Sequence, residues 1–445
     1  MPHLPACPRL VETQAATAGM MRRMRRILLW SLVLLAVLFS VERRVGYATC
    51  RTIADLAAQG AYGVADASGR FIDSCNPDRA LVPASVLKIA TVSAALTILG
   101  PEYRFLTEFY LDSHDNLYVK GFGDPTLFSE EVSGIVEQLQ RKGLRRVQTL
   151  YVDTSTFALT MQVPGQEDSD NAYDAPVGPL SVNFNSVPIN KDANGQIVSG
   201  EPLTPTLPIM QELGRQRPVG RYRVNICAQG CNAESRMAQY AGELFRALLQ
   251  QGGVPVTTLG GIRSVPNQGA TLLYAHRSAQ TLSSISRSLL HYSSNFMANL
   301  VFLTCGAQQF GYPATWKKAE QAVHQELVRQ LGSTTADAIV QVEGAGLSRD
   351  NRVTVRAMLD LLTHFRPQAE LLKKERGVAI KTGTLTGVYN LAGYLPDGQA
   401  FVILLNQQVN QRAAVLDRLK RQFVSRIPPP GQQTVSVKSG IRSEK

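Results

Sequence analysis

The sequence of 445 residues lacks the motifs of several common enzyme classes. It contains no Gly-x-Ser-x-Gly segment, which disfavours a Ser-His-Asp hydrolase built on a nucleophile elbow. It contains no His-Glu-x-x-His or similar cluster among its six histidines, which disfavours a metalloenzyme. Gly121 and Gly123 are followed by no third glycine at Thr126, so the dinucleotide-binding pattern fails. We therefore predict no metal ligands and no organic cofactor.

Internal repeats and basic patches interleaved with aromatic residues are also missing. The net charge is +11, and residues 1–48 contribute seven Arg and two Glu to it. The remaining positive charge is modest and spread out, so we do not predict nucleic-acid binding. Peripheral association with an anionic membrane or cell envelope is compatible with this charge.

Apolar runs long enough to cross a bilayer are missing as well. Residues 27–41 are apolar or small and follow the basic segment RRMRR at 22–26. This run is shorter than the roughly 20 residues of a membrane-spanning helix, and a basic segment before a short apolar run is typical of a secretory signal. We predict an exported, periplasmic or cell-envelope protein that is cleaved after Ala48, with an uncleaved membrane anchor as the alternative.

Cysteine is scarce, but export would permit disulfide bonds. Cys227 and Cys231 are close enough in sequence to close a small loop, and Cys50 and Cys75 flank the first predicted strand. Cys305 is then left as a buried free thiol. Zinc binding at Cys227 and Cys231 is disfavoured, because no histidine accompanies them at ligand spacing.

The pattern along the chain predicts an α+β unit that is split by a strand-rich insert. A strand at 60–67 and a helix at 85–99 precede the insert. Helices at 279–304, 314–331 and 354–365, strands at 377–385 and 398–406, and a helix at 411–425 follow it. The predicted boundaries are an extension with signal at 1–48, the main domain at 49–104 and 229–427, the insert at 105–228, and a disordered tail at 428–445.

Within the first helix, PASVLK at 83–88 places Ser85 one turn before Lys88. Residues i and i+3 share a helix face, and an apolar environment lowers the pKa of a lysine. A neutral Lys88 can accept the proton of Ser85 and activate it as a nucleophile. The alternative is a structural helix cap, with Ser85 as N-cap and Lys88 extending to the surface.

Two further elements of such serine enzymes, Ser-x-Asn and Lys-Thr/Ser-Gly, each occur more than once. The Ser-x-Asn matches at 169–171 and 181–183 lie in the insert, whereas Ser293-Ser294-Asn295 follows a helical pattern. We choose Ser293 and Asn295, because a catalytic serine must be held by packed elements.

Of two Lys-Thr/Ser-Gly matches, Lys438-Ser439-Gly440 lies in the polar tail. Lys381-Thr382-Gly383 instead ends an apolar strand. We choose this second match, where the lysine and the threonine hydroxyl can bind a substrate carboxylate.

In this order the motifs SVLK, SSN and KTGT resemble those of the penicilloyl-serine transferases. Four longer segments, GFGDPTL at 121–127, YDAPVGPLSVNFNSVPI at 173–189, GAGLSRDNRVT at 344–354 and AIKTGTLTGVYNLAGYL at 379–395, are similar to the low-molecular-mass class C penicillin-binding proteins. These proteins are D-alanyl-D-alanine carboxypeptidases and endopeptidases of the bacterial envelope.

The resemblance implies a penicillin-binding/β-lactamase-like transpeptidase domain, with an antiparallel sheet flanked by helices and a helical lobe. It implies that peptidoglycan stem peptides are the substrate and that β-lactams bind. Ser85 would be the nucleophile, Lys88 the base and Ser293 a proton relay. The expected substrate-binding residues are Asn295, Lys381, Thr382, Gly383 and Thr384. A β-lactamase and a non-catalytic peptidoglycan-binding module remain as alternatives.

Overall fold

The computed structural model describes residues 55–56, 59–159, 163–228 and 230–424. The strands, numbered along the chain, are β1 Gly60–Ala65, β2 Phe71–Cys75, β3 Leu106–Asp112, β4 Leu117–Gly121, β5 Val147–Asp153, β6 Ser186–Lys191, β7 Ile197–Ser199, β8 Gly220–Asn225, β9 Val256–Ile262, β10 Ala270–Arg277, β11 Ile339–Val340, β12 Arg352–Val353, β13 Lys373–Glu375, β14 Val378–Leu385, β15 Val388–Tyr394 and β16 Ala400–Leu405.

Helices cover the sheets and separate their strands along the chain. The α-helices are α1 Lys88–Ile98, α2 Ser129–Arg141, α3 Pro208–Gly214, α4 Ala233–Gln251, α5 Leu282–Tyr292, α6 Asn295–Phe310, α7 Trp316–Leu331, α8 Ser333–Asp337, α9 Val355–Phe365 and α10 Arg412–Phe423. Short 3₁₀ turns lie at Ala84–Leu87, Ala172–Asp174, Asn183–Asn185 and Arg366–Leu371.

The first sheet joins the two ends of the described chain. Its strand order is β13-β14-β15-β16-β1-β2, and all of its pairs are antiparallel. β1 pairs with β16 along its whole length, from Gly60 opposite Leu405 to Ala65 opposite Ala400. One apolar core packs residues of α1, α6 and α9 against this sheet, and a smaller one lies on its other face beneath α10. Helices and antiparallel sheet together give the predicted α+β architecture.

The second sheet lies between α1 and α5 in sequence. Its order is β10-β3-β4-β5-β9, with antiparallel pairs on the β10 side and parallel pairs on the β9 side. A separate core packs α2 and α4 against it, and a three-stranded sheet, β7-β6-β8, adjoins the same core.

This second sheet extends past the boundary expected at residue 228. β9 and β10 had no counterpart in the predicted elements, because β9 contains Gly260 and Gly261 and is exposed along most of its length. We propose that the insert runs from about residue 105 to about residue 277, where β10 returns the chain to the main domain.

The helix expected at 279–304 is instead two helices, α5 and α6. The break occurs at Ser293, which has a left-handed backbone with φ 57° and ψ 35°. Ser294 then caps α6 by accepting a hydrogen bond of 3.2 Å from the backbone N–H of Met297. The apolar periodicity continues through this point, so it did not reveal the break.

The cysteines behave as the sequence suggested where they are described. Cys227 and Cys231 form a disulfide, and Cys305 is a buried free thiol. Cys75 is disulfide-bonded, while its expected partner, Cys50, lies outside the described residues.

The predicted signal at 27–41 and the tail at 428–445 also lie outside the described residues. Within the part that is described, the structure has no helix that is both long and apolar enough to cross a membrane.

The loop at 178–181 packs closely on β4 at Gly121, and substitutions at two glycines can test this contact. A Cβ added at Gly121 would lie 2.2 Å from the backbone oxygen of Pro179, whereas one added at Gly134, on the exposed side of α2, meets nothing within 4 Å. We expect Gly121→Ala to lower the free energy of unfolding by about 1–3 kcal/mol, because backbone must move.

Gly134→Ala is the matched control and should raise the same quantity by up to about 1 kcal/mol, because alanine favours a helix. Urea denaturation measures both changes. Equal effects of the two substitutions would contradict the close packing at Gly121.

Candidate active site

The first component of the site is the buried amine of Lys88. Ser85 lies in the 3₁₀ turn that precedes α1, and Lys88 is the first residue of α1 and is 0% exposed. Its Nζ lies 2.8 Å from Ser85 Oγ, 2.8 Å from Asn295 Oδ1 and 2.7 Å from the Ala345 carbonyl oxygen. Lys88 therefore does not extend to the surface, and no side chain caps the start of α1.

The surroundings of Lys88 oppose its protonation. Burial lowers its pKa well below the ordinary value, and the nearby positive charge of Lys381 lowers it further. The carboxylate of Glu343 acts in the opposite direction. An amine that is neutral over a wider pH range can act as a base.

The second component comes from the break between α5 and α6. Because the chain turns at Ser293, that residue and Asn295 both lie at the junction of the two helices. Asn295 contacts Lys88, while the Oγ of Ser293 lies 2.8 Å from the Nζ of Lys381. Both residues of the chosen Ser-x-Asn motif therefore lie at the site.

The third component is Lys381 on β14. This side chain is 2% exposed, and its Nζ also donates to the backbone oxygen of Thr382 at 3.0 Å. Burial lowers the pKa of Lys381 to about 7, and the charges of Arg412 and Lys373 contribute to the shift. The structure thus holds two buried lysines, each next to a serine.

β14 passes directly beside the turn that carries Ser85. A Cβ added at Gly383 would lie 2.7 Å from the Pro83 carbonyl oxygen and 3.2 Å from the backbone nitrogen of Ser85. Glycine allows this approach. Thr382 is half-buried and Thr384 is exposed, so both adjoin the open side of the site.

The other matches to the motifs lie elsewhere. Asn183 accepts a hydrogen bond of 2.9 Å from the backbone N–H of Ser129 inside the insert, so it has a structural partner. Ser169 and Asn171 are in a loop of the insert that is partly exposed, and Lys438 lies outside the described residues.

Comparisons with known proteins agree with this geometry. The model of the D-Ala-D-Ala carboxypeptidase 3 (S13) family matches residues 53–376. The chain belongs to this family. It is 28% identical over 422 residues to the D-alanyl-D-alanine carboxypeptidase of Actinomadura sp. (strain R39), covering 79% of this chain and 78% of the relative. It is 24% identical over 400 residues to the D-alanyl-D-alanine carboxypeptidase DacB of Haemophilus influenzae, covering 77% of this chain and 83% of that relative.

Solved structures show the same fold. The crystal structure of penicillin binding protein 4 from Haemophilus influenzae superposes with a TM-score of 0.68 at 21% identity, over 84% of this chain and 98% of that one. A complex of that protein with a β-lactam gives a TM-score of 0.64 at 22% identity over the same shares. The predicted resemblance, the fold and the activity class, a serine-type D-alanyl-D-alanine peptidase, are confirmed.

One residue of this S13 site has no signal in the sequence motifs. Glu343 is fully buried, and its carboxylate accepts hydrogen bonds of 2.6–2.8 Å from the backbone N–H groups of Ala345, Gly346 and Leu347 and from the side-chain amide of Asn351. These bonds shape the loop whose Ala345 carbonyl contacts Lys88. Gly346, at φ +83°, brings the loop so near that a Cβ there would lie 2.1 Å from the Ala84 oxygen.

A second residue missed at the sequence level is Asn390, in the middle of β15. Its Nδ2 donates to the backbone oxygens of Val82 and Pro83 at 2.9 and 2.7 Å, and its Oδ1 accepts from the N–H of Leu405 at 2.8 Å. This amide ties the segment before Ser85 to the sheet. A polar residue inside the apolar strand VYNLAGY was the available signal.

We expect Glu343→Gln to lower the free energy of unfolding by about 2–3 kcal/mol. The substitution replaces one acceptor oxygen with an amide nitrogen that faces N–H donors, and it removes the buried negative charge that they stabilise. Urea denaturation measures the change. Glu320→Gln, on the exposed side of α7, is the control and should stay within about 0.5 kcal/mol of the unmodified protein. Similar midpoints for the two variants would contradict the assigned role of Glu343.

Proposed function

We propose that Ser85 is the nucleophile and Lys88 the general base of a serine D-Ala-D-Ala peptidase. The observation that carries this assignment is the set of three partners around Lys88 Nζ. A neutral amine has two hydrogens and one lone pair. The oxygens of Asn295 and Ala345 can only accept hydrogen bonds, so they bind the two hydrogens. The lone pair is then directed at the Ser85 hydroxyl, from which it can accept the proton.

Ser85 Oγ attacks the carbonyl carbon between two D-alanine residues, and Lys88 takes the hydroxyl proton. The carbonyl oxygen becomes an oxyanion that binds the backbone N–H groups of Ser85 and Thr384. The approach of Gly383 to Ser85 supports this pairing. One such donor lowers the barrier by about 3–4 kcal/mol.

The terminal carboxylate of the substrate binds Lys381, with Thr382 and Thr384 beside it and Gly383 leaving room for the peptide backbone. Asn295 positions the peptide and holds Lys88. Ser293 passes the proton to the leaving nitrogen, and its hydrogen bond to Lys381 orients its hydroxyl. Water then attacks the acyl-enzyme, with Lys88 again as base, and Ser85 is regenerated.

The substrate that we propose is the stem peptide of peptidoglycan, and β-lactams should acylate the same serine. This substrate implies an envelope location, in agreement with the basic and apolar segments at 22–26 and 27–41. We propose export to the periplasm or cell envelope. A signal cleaved after Ala48 would release the protein, and an uncleaved one would leave it associated with the membrane.

Mass spectrometry of penicillin-treated protein tests the nucleophile. We expect one long-lived penicilloyl adduct on Ser85 and none in Ser85→Ala. Lys88→Ala should slow acylation by at least about 100-fold, because general base catalysis contributes about 10²–10⁴-fold.

His291→Ala is the control, since His291 is the histidine nearest a motif, and it should change the acylation rate little. Equal effects of the two substitutions would contradict Lys88 as the base. Rapid release of the adduct would favour the β-lactamase alternative, and the absence of both an adduct and D-alanine release would favour the non-catalytic one.

The two lysines should give kcat/KM a bell-shaped dependence on pH. Lys88 must be neutral to act as base, so activity falls as pH drops through its lowered pKa. Lys381 must be protonated to bind a carboxylate, so activity falls as pH rises through its pKa of about 7. We expect Lys381→Arg to move the alkaline limb to higher pH, because arginine stays protonated.

Lys374→Ala, at an exposed position of β13, is the control and should leave this limb in place. The measurement is release of D-alanine from a pentapeptide between about pH 5 and pH 10. An alkaline limb that stays in place in Lys381→Arg would contradict the assignment.

A further inference from the structure

A second group of ionisable side chains lies in the insert, outside the peptidase site. One ligand atom from each of Asp124, Glu131 and His276 lies within 4.8 Å of the others. The three residues come from different elements. Asp124 follows β4, Glu131 is in the first turn of α2, and His276 is on β10.

Asp124 has an oxygen that the described part of the protein does not satisfy. The residue is 2% exposed, and its Oδ1 accepts hydrogen bonds of 2.8 Å from the backbone N–H and the hydroxyl of Thr126. Its Oδ2 is buried without a hydrogen-bond partner among the described residues. A buried carboxylate oxygen without a partner is costly, so this oxygen calls for a bound proton or a cation.

The neighbouring strand adds a second such oxygen. Thr107 on β3 is directly opposite His276 on β10, so the two side chains project from the same face of the sheet. The Oγ1 of Thr107 is also buried without a partner among the described residues. Two unsatisfied oxygens thus belong to this corner of the sheet.

The remaining two ligands are already oriented. His276 Nε2 lies 2.7 Å from Glu131 Oε1, and the same oxygen accepts a hydrogen bond of 2.6 Å from the N–H of Ala279. His276 Nδ1 lies 3.4 Å from the hydroxyl of Tyr274. In the metal-bound form, Nε2 of His276 would bind the ion in place of its contact with Glu131, and Nδ1 would remain to face the Tyr274 hydroxyl. The side chains of His276 and Glu131 are each 12% exposed, which leaves access for an ion and a water molecule.

The sequence motifs predicted no metal ligands, because no local motif joins these three residues. We propose that Asp124, Glu131 and His276 bind a divalent transition-metal ion, with Zn²⁺ as the best-matched ion. One imidazole nitrogen and two carboxylates form a mixed N/O ligand set that suits Zn²⁺ better than Ca²⁺ or Mg²⁺. The two carboxylate charges balance those of the ion. Because zinc bonds are about 2.0–2.2 Å long, its ligand atoms lie within about 4.4 Å of one another, and only small side-chain shifts are required.

The ion would stabilise the part of the insert that contacts the peptidase site. The chain from Asp124 leads to Phe128, whose ring lies 4.8 Å from that of Phe184. Phe184 in turn lies 5.6 Å from Phe296, the residue after Asn295. The proposed ion has a structural role and takes no part in the peptidase reaction.

The test uses the full chain after treatment with a chelator and dialysis. Titration calorimetry with ZnCl₂ should show one equivalent bound, and the midpoint of thermal unfolding should rise with added Zn²⁺. Asp124→Asn and His276→Gln should each weaken binding by about tenfold or more and abolish the rise in midpoint. His324→Gln is the matched control, because His324 pairs with Asp337 at the surface, 3.0 Å away.

X-ray absorption spectroscopy at the zinc K edge of the zinc-loaded protein should show one imidazole ligand. Failure of the unmodified protein to bind Zn²⁺ would overturn the proposal and leave a proton on Asp124 as the explanation. Equal affinities of His276→Gln and His324→Gln, or a spectrum without imidazole, would overturn it as well. If Asp124→Asn does not unfold cooperatively, the zinc affinities of His276→Gln and His324→Gln test the proposal on their own.

Discussion

The constraint on which the rest of this site depends is the burial of the Lys88 amine. A lysine placed in an apolar core is tolerated only where each of its hydrogens and its lone pair has a partner. Here the partners come from a turn, a helix start and a loop that are far apart in sequence. Satisfying one nitrogen therefore fixes how α1, α6 and the loop after Glu343 meet.

The presence of a second buried lysine, Lys381, suggests that the two lysines differ in protonation state and in role. Lys381 carries a positive charge close to Lys88, and like charges in one buried site disfavour double protonation. The fully buried Lys88 is the one suited to be neutral and basic. Lys381, at the strand edge beside Thr382, is suited to be the cation that meets a carboxylate. Each lysine is adjacent to its own serine, so under the proposed assignment the two pairs would perform different tasks with the same residue types.

The residues of the site were predictable where chemistry demands fixed types at short spacing. Ser85 and Lys88, and Ser293 and Asn295, are local pairs, and their packed surroundings distinguished them from the other matches. Glu343 was not predictable, since a single carboxylate acquires its role only when a loop folds around it. The strand with Gly260 and Gly261 was hidden by its glycines and its exposure. Asp124 and His276 meet only through strand register, which no local pattern contains.

The pairing of β1 with β16 makes folding of the peptidase domain depend on both ends of the described chain. The sheet of the peptidase domain cannot close until the chain up to residue 405 is available, because β1 pairs with β16. The strands of the insert's larger sheet lie within Leu106–Arg277, so that sheet can be completed much earlier. Ser85 and Lys88 are synthesised near the beginning, yet they lack Asn295 and Ala345 until most of the chain exists. A chain that stops before Asn295 therefore lacks two of the three hydrogen-bond partners of the Lys88 amine.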